Sequence, residues 1–100
     1  MRLSTFEIES IRSLAGQHFG QDVQVFLFGS RRSDSERGGD IDLFVTNKDM
    51  NKLNTRAKIA FITELIILIG EQRIDVILDN KERIEDPFFK TIRESGIKLC

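Results

Sequence analysis

Phe28-Gly29-Ser30-Arg31-Arg32, followed by Gly39-Asp40-Ile41-Asp42-Leu43-Phe44-Val45, is the stretch that decides how this chain folds. A Gly-Ser turn closes one apolar run, and two carboxylates two residues apart open the next. A strand sends residues i and i+2 to the same face. Asp40 and Asp42 are therefore expected to project together, with Ile41 and Leu43 turned into a core. Paired carboxylates beside a glycine-opened turn form a place to hold a divalent cation and a phosphate chain.

Outward from this stretch, alternation and breakers assign the other elements. Ser4-Thr5-Phe6-Glu7 matches a capping box, and apolar residues then recur at helical spacing, predicting a helix from Thr5 to His18 that ends at Gly20. Val23 to Phe28 and Asp40 to Val45 read as strands around a polar loop. Met50 to Ile69 reads as one long helix closed by Gly70, and Arg73 to Leu78 as a third strand. Asp86-Pro87 looks like a cap and first residue of a short helix that ends at Gly96. Ile97 to Leu99 either adds an edge strand or docks. The order implies an α/β (α+β) fold: a small mixed sheet with helices packed mainly on one face, leaving the other face polar and open for a site.

The 100 residues suit one domain over positions 1–100. Net charge is -1, so any phosphate binding must come from local groups. The lone cysteine, Cys100, excludes an internal disulfide and reads as a frayed terminal thiol. No segment is apolar and long enough for a membrane span, and the N-terminus lacks a signal-peptide core, so the expected location is the cytoplasm.

The remaining candidates surround the same turn. Gly29 lets a ligand approach the backbone closely. Ser30 offers a hydroxyl and a backbone N–H. Arg31, Arg32 and Arg37 could clamp phosphate oxygens, although at least one is expected simply to face water. Asp75, between Ile74 and Val76, points away from the core and joins the other carboxylates if its strand lies beside Asp42. Each feature alone has a plain structural reading: a solvated turn, an edge strand protected by charge, the wet side of a strand. Asp79, at the strand end, is assigned to a turn rather than to the site.

Together, Gly29-Ser30, Asp40-Ile41-Asp42 ten residues on, and a later strand carrying Asp75 resemble the nucleotidyltransferase signature of the DNA polymerase beta-like superfamily. The small size resembles its minimal nucleotidyltransferase (MNT) antitoxin members. The resemblance implies a Mg2+-dependent enzyme with ATP as the expected nucleoside triphosphate. Gly29 and Ser30, aided by Arg31, would hold the triphosphate, and Asp40, Asp42 and Asp75 would hold metal and carry catalysis. It also implies transfer of AMP to a hydroxyl of a helical HEPN-type toxin partner. The family often has Ser before the first Asp; Gly39 stands here.

Two rival functions stand beside this one: an antitoxin that neutralises its partner by binding alone, and an enzyme that modifies a small molecule such as an aminoglycoside. The absence of a basic groove argues against nucleic-acid polymerisation. The Met50 to Ile69 helix is apolar nearly all round, which suggests burial on two sides. A partner, a second copy, or the segment around Phe88 and Phe89 could cover the second side, with Ile62 and Ile66 as trial contact positions.

Overall fold

The computed structural model describes residues 3–28, 41–79 and 87–100. Its elements are α1 (Thr5–Phe19), β1 (Gln24–Phe28), β2 (Ile41–Thr46), α2 (Thr55–Ile69), β3 (Ile74–Leu78), α3 (Pro87–Ser95) and β4 (Ile97–Lys98). They build a four-stranded sheet in the order β3-β2-β1-β4. β1 runs antiparallel to β2 and to β4, and β2 runs parallel to β3 through the α2 crossover. This is the expected mixed sheet.

α1 starts where the capping box places it. The Glu7 backbone N–H donates to Ser4 Oγ at 3.1 Å, and the Ser4 backbone N–H donates to Glu7 Oε1 at 2.9 Å. Two free N–H groups are thereby satisfied reciprocally. Gly20 ends the helix at φ +97°, a conformation that side chains with a Cβ rarely adopt.

The expected helix from Met50 to Ile69 is broken near its start. Met50–Lys52 forms a separate 3-10 turn, and α2 begins only at Thr55. Two side-chain caps in quick succession account for the break. Asp49 accepts from the Asn51 backbone N–H at 3.1 Å, and Asn54 accepts from the Ala57 backbone N–H at 2.9 Å. An Asn at an N-cap holds non-helical backbone and competes with helix continuation through it.

The two faces of the sheet are covered unequally. Val25, Leu27, Ile41, Leu43, Val45, Ile74 and Val76 turn to one side and form the main core with Ile11, Leu14, Ala15 and Phe19 of α1 and Phe61 and Leu65 of α2. Phe19 and Phe61 stack tilted at 5.3 Å between ring centroids, and His18 and Glu64 join the same two helices. Phe26 and Phe44 turn to the other side, where Ile92 of α3 covers them. That face is therefore not open throughout as expected. Its middle is a second, smaller apolar cluster. Asp86, the expected cap of α3, lies outside the described residues.

Cys100 is not frayed. β4 pairs with β1, the Leu99 N–H donates to the Val25 carbonyl at 2.7 Å, and the Cys100 carbonyl accepts from the Val25 N–H at 3.3 Å. Burial raises the Cys100 thiol pKa, against smaller lowering effects from its hydrogen bond with Val25 and from Arg12 and Lys98. A raised pKa in the folded state favours the neutral thiol. Its stabilising contribution is present below the unfolded pKa and is lost as pH rises through the folded value. Alkylation of Cys100 near neutral pH should therefore be slower in the folded protein than in urea. Equal rates measured by mass spectrometry would contradict this docking.

Candidate active site

The second face of the sheet is organised in three rows across the strands. Phe28, Asp42 and Asp75 are aligned in the first row. Phe26, Phe44 and Ile77 form the second, with Phe26 and Phe44 at 6.3 Å between centroids. The third holds Gln24, Thr46 and Asp79, with Thr46 Oγ1 donating to Asp79 Oδ2 at 2.8 Å.

Asp42 and Asp75 are register partners on neighbouring parallel strands and share this face. Adjacent strands lie about 4.8 Å apart, so the two carboxyl groups are within reach of one bound ion or phosphate. The Ile41 N–H donates to the Arg73 carbonyl at 3.0 Å and fixes the register from the first residue of β2. Asp42 is half-buried on the central strand, whereas Asp75 is exposed. The arrangement offers one carboxylate set against the sheet and one open to an incoming group.

Phe28 is the last residue of β1 and stands opposite Asp42. The Gly29-Ser30 pair follows it directly in sequence, and Asp40 immediately precedes β2. Gly29, Ser30, Arg31 and Asp40 themselves lie outside the described residues, as do Arg32 and Arg37.

Asp79 is separate from this pair and is not a mere turn residue. It is buried, accepts from Thr46, and its N–H donates to the Val45 carbonyl at 2.8 Å. Four residues along β3 from Asp75, it is about 13 Å away by strand rise. It lines a hollow of about 260 Å³ with Asp22, Gln24, Thr46, Asn47, Lys48 and Met50. The aromatic middle row beside the carboxylates was missed from the sequence. Its signal was the i, i+2 spacing of Phe26 with Phe28 and of Asp42 with Phe44.

The family model for the nucleotidyltransferase domain matches residues 8–100. The chain belongs to this family. Nucleotidyltransferase domains generally use a nucleoside triphosphate and a divalent metal, and the architecture here is consistent with their fold. No curated protein matched the chain, so substrate and partner rest on its own residues.

The donors of this nucleotidyltransferase domain fit a hard cation. Among the described residues, no group of three or more His, Cys, Asp or Glu could hold a metal. The Asp42–Asp75 pair could nonetheless supply two oxygen ligands. Magnesium suits such a pair, because it binds through one or two carboxylates and completes its shell with water and substrate phosphate. Among the described residues, no helix is long and apolar enough to cross a membrane.

Proposed function

We propose that this nucleotidyltransferase moves AMP from ATP to a hydroxyl of a separate helical protein, acting in the cytoplasm as antitoxin to a HEPN-type toxin. The observation that carries the transfer chemistry is the register-matched pair Asp42 and Asp75 on one face of the sheet.

Asp40 and Asp42 would hold magnesium, and Asp75 would complete the site. The bound ion would neutralise phosphate charge and orient the α-phosphoryl group. Gly29 would let the β and γ phosphates approach the backbone, Ser30 would donate to them, and Arg31 would pair with their oxygens. Asp75, the more exposed carboxylate, takes the proton from the acceptor hydroxyl. The acceptor oxygen bonds to the α phosphorus, the bond from that phosphorus to the β-phosphate bridge breaks, and pyrophosphate leaves. Most of the acceleration comes from position and charge, as in phosphoryl transfer generally.

An intermolecular acceptor is supported by the exposure of Asp75. Tyrosine self-modification is excluded within this sequence, which has no Tyr. The test is incubation with labelled ATP, magnesium and a helical HEPN-type toxin, followed by mass spectrometry. Label on a hydroxyl of that protein supports the proposal. Undiminished toxin inhibition without label favours masking alone, and label on an added aminoglycoside favours small-molecule modification.

A further inference from the structure

The outer face of α2 remains apolar after folding. Ile59, Ile67 and Leu68 are 60%, 76% and 47% exposed. Beside them lies a shallow, mostly apolar depression of about 280 Å³ lined by Leu14, Glu64, Ile67 and Leu68. The contact cluster of α3 is on the opposite face of the sheet, so this helix does not supply the cover. Ile62 and Ile66, the trial contact positions, instead pack against the main core.

The pattern along this face is self-complementary. When two copies of a helix lie antiparallel about a two-fold axis, residue i of one meets residue j of the other with i+j constant. An axis between Thr63 and Glu64 sets Ile59 against Leu68, and Ala60 against Ile67. The small Ala60 side chain leaves room for the larger Ile67 of the other copy. The same axis sets Arg56, in the first turn of α2, against Glu71, just beyond its C-cap Gly70. Both charges are exposed, and neither forms a salt bridge with another described residue. Glu64, close to the axis, is held by His18 on the flank towards α1, which limits repulsion between its two copies.

We propose that this face binds a second copy of the chain, with the two α2 helices antiparallel about a two-fold axis at Thr63 and Glu64. Apolar contacts occupy the centre, and Arg56–Glu71 pairs close both ends. One helix face is smaller than the roughly 800 Å² per partner of a standard interface, so the dimer belongs to the weak, concentration-dependent class. The carboxylate row lies on the other side of the sheet. Both sites therefore stay open in the dimer, and association requires no nucleotide.

Sedimentation equilibrium of the full chain at low salt tests this, with circular dichroism as a check on folding. The wild-type protein should show a reversible monomer–dimer equilibrium. Ile67→Lys should leave the fold unchanged and abolish the dimer. Arg56→Glu and Glu71→Arg should each weaken it about fivefold or more, since each reversal replaces two attractive pairs by repulsive ones. The double reversal should restore near wild-type affinity, which only this register requires. A monomeric wild-type protein, as expected if a different partner covers α2, would overturn the proposal. So would a double reversal no better than either single one.

Discussion

Replacing Asp42 by Asn is expected to reduce nucleotidyl transfer about a hundredfold or more while leaving the fold intact. The size follows from losing one charge-stabilising group at a phosphoryl centre. Asn keeps the shape of the side chain and one oxygen but removes the negative charge that would face the metal and phosphates in the proposed site. Asp42 is only half-buried and its register partner is Asp75, so the substitution also relieves repulsion between like charges. Stability in the absence of metal should be equal to or slightly above wild type. Pyrophosphate release and the urea midpoint, measured on the same preparation, separate the two effects. Full magnesium-dependent release by the Asn variant would falsify the assignment of Asp42. A collapsed urea midpoint would mean that its carboxylate is structural.

The largest effect on stability is expected at Phe44. This ring is fully buried on the central strand and packs with Phe26 and Ile92. Phe44→Ala should cost about 3–5 kcal/mol, from lost transfer energy and the cavity left behind. Native domains have only about 5–15 kcal/mol in total, so the variant should be close to unfolding at 25 °C. Phe44→Leu keeps most of the volume and should recover most of the loss. Because α3 rests on this cluster, its amides should lose hydrogen-exchange protection first. A loss below about 1 kcal/mol for the Ala variant would show that the smaller cluster is dispensable.

The sequence reveals most clearly what local rules govern. Alternation in Ile41-Asp42-Leu43 and in Ile74-Asp75-Val76 assigns faces, and Ser4 with Glu7 fixes the start of α1. The adjacency of Asp42 to Asp75 is conditional at that level, because period-2 patterning does not name a strand's neighbour. Pairing the strands requires the crossover through α2, which the whole chain decides.

The misreadings have equally local causes. The hydrophobicity of α2 conceals the cap at Asn54. The apolar residues on both sides of β2 conceal a face divided between carboxylates and aromatics. Cys100 looks terminal and loose until β4 pairs it to β1. The outer face of α2 was legible as excess hydrophobicity, but its division into packed Ile62 and Ile66 and exposed Ile59 and Ile67 depends on the angle at which the helix meets the sheet.

The position of β3 in the sheet has a kinetic consequence. In the described order it is an edge strand, held through β2 on one side, whereas β2 is held on both. The two aligned carboxylates are far apart in the chain and meet only when this parallel pairing closes, a non-local step that carries the entropy cost of the intervening loop. Edge pairing also opens at lower free energy than the centre of a sheet. The acidic row should thus be among the last features to assemble on refolding. It should dissolve by local fraying of β3 while Asp42 remains in place, making the active arrangement less durable than the fold that carries it.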